Sequence, residues 1–501
     1  MENLEKYFEK FRLNTVGHDV TFTSPYGTQK LIYADWIASG RMYAPIEYRM
    51  LNEFGPLVGN THSESSETGV AMTLAYKHAH KIIKKHVNAC DNDVIITTGS
   101  GMTAVVNKLQ RILGLKIPDQ ASVVGSKITS KIKHYVNEMG NDKPIIFVTH
   151  MEHHSNHTSW LETIADVVVI EPDENLLVKP ENLRRALENY KARTLKIGAF
   201  TAASNVTGII TPYYELAKIM HEHNGFAFID FAASAPYVDM DMHPPDPLMK
   251  LDAIYFSPHK FLGGPGTAGV LVFDKALYKN QVPDQPGGGT VTWTNRWGEY
   301  HFINDVETRE DGGTPSFLQT IRSALAIKLK EQMGTQNILK REHELCITAI
   351  NELKKIPGLY VMAQNQTDRI GAISFFVQGV HHNLLVRLLN DRYGIQVRGG
   401  CSCAGTYGHF LLGVDIEKSH AITCKIDSGD LTEKPGWVRM SIHPTMTDNE
   451  LNIITKAIKE IVENLNSWGQ EYYFAPNSGE YFHKTFNNKN MNDVIPWFNI
   501  D

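Results

Sequence analysis

The chain carries GFAFID at residues 225–230, an apolar run that ends in a single carboxylate, Asp230. A continuous apolar run of this length is typical of a strand that is buried on both faces of a parallel sheet. Ligands of such sheets bind beyond the carboxyl ends of the strands, so Asp230 is predicted to lie at a ligand site. An aspartate at the end of a strand is also a common helix cap or turn residue, and the carboxylate alone does not separate these alternatives.

Strand-like and helix-like segments alternate on both sides of this run. Further strands are predicted at residues 93–98, 144–149, 166–170 and 196–200. With a helix predicted at residues 103–113, this order indicates βαβ units and a mostly parallel sheet. A long helical pattern from about Ser316 towards Leu353 leads to a second, shorter α/β section that starts with a strand at residues 370–377.

Composition describes an ordinary globular chain and excludes several classes of protein. The 501 residues are 42% hydrophobic and carry a formal net charge of −6, without a long basic block. Nucleic acid and anionic membranes are therefore not expected partners. The five cysteines are an odd number without a disulfide pattern, which favours a reducing compartment. The absence of a signal-like N-terminus and of a long apolar run predicts a cytoplasmic protein.

A second motif, Ser257-Pro258-His259-Lys260, stands shortly before a glycine-rich stretch at residues 263–269. A lysine becomes a covalent catalyst when its neighbours favour the neutral or imine form, and Ser257 and His259 are suited to hold a cofactor phosphate beside it. Asp230 fits the partner that a pyridinium nitrogen needs. A lysine before a glycine loop is equally typical of a solvated turn, but Lys260 and Asp230 together favour a Schiff-base site.

Polar motifs follow two further predicted strands. Gly99-Ser100-Gly101 opens a helix directly after a strand, so its backbone N–H groups and a serine hydroxyl would face an anion; alone, the motif also fits a tight turn. Glu152-His153-His154 offers metal ligands, but no Cys or His partners at zinc spacing accompany it. We therefore expect no metal and interpret His153 as a ring that covers a cofactor.

In their order along the chain, these motifs resemble the class V aminotransferase family of fold type I pyridoxal-phosphate enzymes, and within it the cysteine desulfurases of the SufS/NifS type. The resemblance covers roughly residues 30–465. It rests on the motifs above and on these segments: Tyr33-Ala34-Asp35 with Ala38-Ser39, Asn60-Thr61-His62, Ser204-Asn205-Val206-Thr207-Gly208, Pro286-Gly287-Gly288-Gly289, Gly312-Gly313-Thr314-Pro315, and Trp437-Val438-Arg439-Met440-Ser441.

The resemblance implies an α/β fold with a large domain around a mostly parallel sheet and a smaller C-terminal α/β domain. The boundaries that we predict are an N-terminal segment 1–50 contributing to the small domain, a large cofactor domain 51–330, a small domain 331–465 and an extension 466–501 without an assigned role. A homodimer with shared active sites is implied as well. In it, Gly288, Gly289 and Thr314 would reach the neighbouring subunit's site, with Thr314 on its phosphate.

Carried over by residue, the resemblance makes Lys260 the Schiff-base lysine, Asp230 the partner of the pyridine nitrogen, His153 the stacking ring and Asn205 a donor near the ring hydroxyl. The phosphate of pyridoxal 5'-phosphate would be held by Ser100, Gly101, Ser257, His259 and Thr314.

The substrate would be bound by Ala38, His62, Asn205 and Arg439. Arg439 is assigned to the α-carboxylate, because a guanidinium meets a carboxylate bidentately; a surface ion pair is the alternative for it. One departure from the family pattern is Ala233, which stands where desulfurases have a glutamine. A second hydrogen bond to the ring oxygen would then need Ser234 or a water.

The segment Arg398–Gly405 contains Cys401 and Cys403 and resembles the loop that bears the sulfur-accepting cysteine of desulfurases. A thiolate is suited to take a sulfur atom as a persulfide. Cys403 aligns best with that cysteine, while Cys401 would resolve, relay or pack. A zinc site at this pair is disfavoured, since it offers two sulfurs alone.

The leading hypothesis is therefore a cysteine desulfurase that converts L-cysteine to alanine, with a sulfur-acceptor protein as a further partner. The first alternative is an aminotransferase, lyase or epimerase of the same family in which the cysteines are filler. The second is a cofactor-bearing scaffold for a sulfur-transfer partner, which the full set of cofactor residues disfavours.

Overall fold

The computed structural model describes residues 3–119, 134–487 and 489–500. Its strands are β1 (Thr21–Ser24), β2 (Gly27–Lys30), β3 (Ile32–Tyr33), β4 (Asp93–Thr98), β5 (Ile145–Thr149), β6 (Asp166–Ile170), β7 (Lys196–Thr201), β8 (Phe226–Asp230), β9 (Ala253–Phe256), β10 (Gly269–Asp274), β11 (Val291–Thr294), β12 (Tyr300–Phe302), β13 (Leu359–Val361), β14 (Ala372–Val377), β15 (Ile395–Gln396), β16 (Arg398–Gly400), β17 (Trp437–Ser441), β18 (Tyr472–Ala475) and β19 (Glu480–His483).

The α-helices are α1 (Leu4–Leu13), α2 (Ala44–Arg49), α3 (Glu67–His86), α4 (Met102–Ile112), α5 (Thr158–Leu161), α6 (Pro180–Asn189), α7 (Tyr213–Glu222), α8 (Val306–Glu310), α9 (Phe317–Met333), α10 (Thr335–Leu353), α11 (His382–Tyr393), α12 (Gly405–Leu411), α13 (Ile416–Asp427), α14 (Asp448–Trp468) and α15 (Met491–Val494). Residues 134–138 are helical as well. A π-helical segment, Met50–Phe54, continues α2.

A seven-stranded sheet in the order β4-β10-β9-β8-β7-β5-β6 forms the centre of the fold. The strands from β9 to β6 pair in parallel, whereas β10 runs antiparallel to its neighbours β4 and β9. This confirms the predicted α/β class with a mostly parallel sheet. Strands β5 and β7 are buried along their whole length, as their continuous apolar runs predict. The carboxyl ends of β7, β8 and β9, at Thr201, Asp230 and Phe256, share one edge of the sheet.

Helices cover both faces of this sheet and bury an apolar core on each. One core includes Ile83 of α3, Leu183 of α6 and Ile327 of α9. The other includes Val105 and Leu109 of α4. Full burial of one such aliphatic side chain contributes about 1.5–3 kcal/mol, so α4 is held firmly against the sheet. Its first turn therefore has a fixed position at the carboxyl edge.

A smaller four-stranded antiparallel sheet follows in the order β13-β14-β17-β16. Strand β17 is buried throughout and carries Arg439. The N-terminal strand β3 pairs in parallel with β15, Ile32 opposite Ile395, so residues from both ends of the chain meet in this region. The helical pattern predicted from about Ser316 forms two helices, α9 and α10. Gly334, with φ of +76°, separates them because this backbone conformation interrupts a right-handed helix.

The C-terminal extension, to which the sequence analysis gave no role, contains a β-hairpin of β18 and β19. The hairpin packs on α11: Arg387 Nε donates to the Tyr481 carbonyl over 2.9 Å, and Tyr472 Oη donates to Asp391 Oδ2 over 3.0 Å. The Arg392 guanidinium lies 3.9 Å from the ring centroids of both Tyr26 and Trp468. Within the described ranges, the structure contains no helix that is long and apolar enough to cross a membrane.

Candidate active site

A cleft of about 800 Å³ opens at the carboxyl edge of the large sheet, between it and the small antiparallel sheet. The strand ends Thr201 and Asp230 form its floor, and Arg398 and Arg439 reach it from β16 and β17. The predicted site residues in its lining are Ala38, Ser100, Gly101, His153, Asn205, Asp230, Ser257, His259, Lys260 and Arg439. Three other predicted residues, His62, Thr314 and Cys403, lie outside this lining.

One end of the cleft is built to receive an anion. Helix α4 begins here after Gly101, which has no side chain with which to cap it, and its first turn lines the cleft. The Met102 N–H of this turn donates to Ser257 Oγ over 2.8 Å. A Cβ on Gly101 would lie 3.0 Å from Ser257 Oγ and 3.5 Å from the His259 ring, so the glycine keeps these polar groups close together. Burial, with Lys260 nearby, lowers the pKa of His259 to about 4, so its ring is neutral.

Lys260 and Asp230 form an electrostatically coupled pair in the cleft. Burial, together with the positive charge of Arg439, lowers the pKa of Lys260 to about 8, although the Asp230 charge opposes the shift. Burial raises the pKa of Asp230 to about 6, against the hydrogen bond from the Ala232 N–H to Asp230 Oδ1 at 2.8 Å and the charge of Lys260. The lysine is thereby brought within reach of its neutral form near physiological pH.

The His153 ring lines the cleft in its neutral form. Burial, with the positive charge of Lys260, lowers its pKa to about 3, and its Nδ1 accepts the Ser155 N–H over 3.1 Å. Glu152 points away into the core, where Oε1 accepts the Thr201 N–H over 2.9 Å and Oε2 accepts from Asn156 Nδ2 over 2.7 Å. His153 thus faces the cleft and Glu152 faces the core. Side chains that point in such different directions are not placed to share a metal ion.

A group of metal-ligand type lies elsewhere among the described residues. Cys90, Asp93 and His243 place their ligand atoms within 4.8 Å of one another near the start of β4, at the sheet edge opposite the cleft. In this group His243 Nε2 and Asp93 Oδ2 are 2.6 Å apart, an ordinary ion-pair geometry.

Arg439 is almost fully buried and has two firm partners. Its Nη2 donates to Asp35 Oδ1 over 2.9 Å, and its Nη1 donates to the Asn205 carbonyl over 3.1 Å. Arg398, its register partner on β16, places Nε 3.4 Å from Asp35 Oδ2. Asp35 therefore bridges two arginines at the cleft. Asp35 belongs to the Tyr33-Ala34-Asp35 motif, from which no role for it was predicted.

The cysteines lie in a tight turn beside the cleft. The Ala404 N–H donates to the Cys401 carbonyl over 3.1 Å, and the central residues Ser402 and Cys403 have φ of +52° and +56°. Asn205 Nδ2 donates to the Ser402 carbonyl over 2.7 Å, so the turn is tied to the cleft. The Cys403 carbonyl accepts the N–H of His154 over 2.8 Å. Ser402 lines the cleft, while exposed Cys403 opens on the other side of the turn.

His62 and Thr314 lie together in an exposed group outside the cleft. Thr314 Oγ1 and Asn60 Oδ1 are 3.2 Å apart in a hydrogen bond, and a Cβ on Gly289 would lie 3.7 Å from the His62 ring. These positions leave both residues free to face another molecule.

The position of the missing glutamine is part of the cleft wall. Ala233 lines the cleft, whereas Ser234 does not, and the buried Ser234 Oγ has no hydrogen-bond partner within the described residues. Ser234 is therefore not placed to replace the glutamine, as the sequence analysis had considered.

The sequence profile of the family described as Aminotransferase class-V matches residues 125–454. A probable cysteine desulfurase of Halalkalibacterium halodurans (strain ATCC BAA-125 / DSM 18197 / FERM 7344 / JCM 9153 / C-125) is 27% identical over 378 residues, 75% of this chain and 84% of that protein. One of Staphylococcus aureus (strain COL) is 28% identical over 381 residues, with the same shares covered, 75% and 84%.

Two solved structures share the fold. The apo structure of a cysteine desulfurase from Thermococcus onnurineus NA1 superposes with a TM-score of 0.71 at 21% identity and covers 91% of this chain and 98% of its own. The cysteine desulfurase CsdA from Escherichia coli gives a TM-score of 0.69 at 20% identity, covering 92% and 99%.

Proposed function

Since the chain belongs to the class-V aminotransferase family, we propose that it is a pyridoxal-phosphate-dependent cysteine desulfurase. The observation that carries the proposal is the contact between two features: a cleft that holds Lys260 and Asp230, and a cysteine turn hydrogen-bonded to the cleft through Asn205. The curated relatives named as probable cysteine desulfurases support the same activity.

The residues present fit the cofactor. The uncapped start of α4, with Ser100, Ser257 and the neutral His259, offers donors to a phosphate. Asp230 is the carboxylate that would face a pyridine nitrogen, and the His153 ring would lie against the cofactor ring. Asn205 Oδ1 and Arg439 Nε are buried without a hydrogen-bond partner within the described residues, which leaves polar atoms of cleft residues to be satisfied by a ligand.

Pyridoxal phosphate, when bound, supplies an electron sink that stabilises negative charge at the α-carbon of an amino acid. Lys260 would hold the cofactor covalently and, once released, accept and return the α-proton, for which a pKa of about 8 is well placed. Arg439 would bind the substrate α-carboxylate bidentately, with Asp35 fixing the guanidinium in position.

Cys403 would then attack the sulfur of the bound L-cysteine. A sulfur–sulfur bond forms on Cys403 and the carbon–sulfur bond of the substrate breaks; the electron pair stays with the carbon skeleton, which leaves as alanine after protonation. The turn that carries Cys403 adopts left-handed backbone at two non-glycine residues, a conformation that concentrates at functional sites.

A second candidate is an aminotransferase, lyase or epimerase that uses the same cleft without sulfur chemistry. The position of Cys403 favours it, because this residue does not line the cleft. In that case the turn would be a structural element and the substrate would be another small amino acid.

We also propose a homodimer, in which Thr314 and His62 complete the neighbouring cleft, and a sulfur-acceptor protein as a partner of the persulfide. The exposed positions of Thr314 and His62 outside the cleft of their own chain support a role at the neighbouring cleft. All five cysteines are free, which supports a reducing compartment such as the cytoplasm.

The deciding experiment incubates the cofactor-loaded protein with L-cysteine and a thiol reductant and measures alanine and sulfide. We expect equimolar release, and a loss of both of about 100-fold or more in Cys403→Ala. Cys424→Ala, which changes an exposed free cysteine away from the cleft, is the matched control. Absence of alanine and sulfide with the native chain would refute the desulfurase and leave the second candidate, whereas unchanged alanine formation in Cys403→Ala would refute the role of Cys403.

A further inference from the structure

A second cavity, of about 340 Å³, lies on the other side of the cysteine turn from the cleft. Both Cys401 and Cys403 line this cavity, and neither lines the cleft. Ser402 and Arg398 line both spaces. The turn therefore separates the cleft, in which the amino acid would react, from a second cavity that is lined by two cysteines.

The backbone of the turn holds the Cα atoms of these two cysteines close to each other. Cys401 is its first residue and Cys403 its third, with left-handed φ at Ser402 and Cys403 and a closing hydrogen bond from Ala404. Residues two apart have Cα atoms at most roughly 7 Å from each other even in an extended chain. The turn shortens that separation, and a disulfide requires about 4.4–6.8 Å. A bond between the two sulfurs thus needs no movement of distant parts of the chain.

We propose that Cys401 resolves the persulfide of Cys403 and that the enzyme thereby releases sulfide without an acceptor protein. This inference rests on the proposed desulfurase function. The Cys401 thiolate attacks Sγ of Cys403; the Cys401–Cys403 bond forms and the bond to the outer sulfur breaks. The outer sulfur takes the electron pair and the proton given up by Cys401 and leaves as hydrosulfide. The two cysteines are oxidised by two electrons in total and the outer sulfur is reduced by two, so no external oxidant is required.

The cavity is suited to the departing group. Arg398 and Lys434 line it, and their positive charges would stabilise a hydrosulfide anion. The opposite wall consists of His381 and His382 of the small domain and of the C-terminal hairpin at Ser478–Glu480. A small thiol reductant that enters this space would reduce the disulfide and reset the enzyme by thiol–disulfide exchange.

The hairpin wall is fixed to its surroundings. Asn383 Nδ2 donates to the Gly479 carbonyl over 2.8 Å, and the Leu431 N–H donates to the Pro476 carbonyl over 3.3 Å. This gives the C-terminal extension a role: it completes the space in which the persulfide is resolved.

The test is a turnover of the cofactor-loaded protein with less than one equivalent of L-cysteine and no reductant. Thiols are then alkylated and the protein is cut with trypsin, which releases residues 399–418 as one peptide that contains Cys401 and Cys403. For the native chain we expect alanine, an equal amount of free sulfide, and a peptide that is lighter by two hydrogens. In Cys401→Ser, alanine should form as before, free sulfide should fall about tenfold or more, and the peptide should retain one extra sulfur on Cys403.

Cys424→Ser is the matched control, since it removes an exposed thiol outside the turn and should behave like the native chain. Alanine formation with an extra sulfur that persists on Cys403 of the native chain would overturn the inference. So would an extra sulfur found on Cys401, because this would make Cys401 a relay. If no alanine forms at all, the proposed desulfurase function fails, and the inference fails with it.

Discussion

Capture of pyridoxal phosphate by the apoprotein should depend steeply on pH through Lys260. The neutral amine is the form that attacks the cofactor aldehyde. Burial lowers the pKa of Lys260 from 10.5 to about 8, so the amine loses its proton at a lower pH than an ordinary lysine. At pH 7, about a tenth of such an amine is neutral, against roughly 0.03% of an unperturbed lysine, which is a gain of roughly 300-fold in nucleophile.

The assay mixes apoprotein with pyridoxal phosphate and follows the cofactor absorbance at a series of pH values. The second-order rate constant should rise about tenfold per pH unit below pH 8 and level off above it. The same series with N-acetyl-lysine amide controls for titration of the cofactor itself, and its rate should continue to rise up to about pH 10. The ratio of the two curves reports the titration of Lys260.

Two variants should move the midpoint in opposite directions. Asp230→Asn removes a negative charge that raises the pKa of Lys260, so the midpoint should shift to lower pH. Arg439→Gln removes a positive charge that lowers this pKa, so the midpoint should shift to higher pH. A native midpoint at the ordinary lysine value, or shifts of both variants in the same direction, would refute the electrostatic account of the cleft.

Two further predictions test the phosphate end and the dimer. Gly99→Ala places a Cβ 2.3 Å from Ala104 Cβ at φ of +61°, so it should lower the free energy of unfolding by about 3 kcal/mol and weaken cofactor binding. Gly114→Ala, at φ of +71° with nothing within 4 Å, should cost about 1 kcal/mol; equal costs in urea unfolding would contradict this reasoning. An equal mixture of Lys260→Ala and Thr314→Ala chains should recover about a quarter of the native activity after exchange, because about half of the dimers are then heterodimers and one of the two clefts in each heterodimer is intact. Failure to recover activity from folded, exchanged dimers would show that Thr314 does not serve the neighbouring cleft.

The parts of the site that the sequence predicts well are those carried by local pattern. The run before Asp230 forms a strand that is buried from Ala227 onward, and the turn at residues 99–101 leads into a helix, because burial on both faces and glycine at positive φ both leave a signature within a few residues. The long helical pattern was less informative, since the break at Gly334 depends on a single residue inside otherwise continuous periodicity.

Contacts between parts of the chain that are distant in sequence could not be predicted from the sequence pattern. Asp35 meets Arg439 and Arg398 because β16 and β17 pair in a register that sets the two arginines opposite each other. Neither that register nor the approach of the N-terminal segment is encoded in local periodicity. The C-terminal hairpin escaped for a similar reason, because its stabilising partners lie on α11 and at Tyr26, far away in sequence.

A chain of hydrogen bonds connects Arg439, the proposed substrate arginine, to the cysteine turn. Arg439 Nη1 donates to the carbonyl of Asn205, and Nδ2 of the same asparagine donates to the carbonyl of Ser402. Under the proposed function, a carboxylate bound by Arg439 would compete with this carbonyl for the guanidinium, so binding of the amino acid would weaken one of the contacts that connect Arg439 to the turn. The two cavities would thus be coupled through Ser402, the residue that lines both.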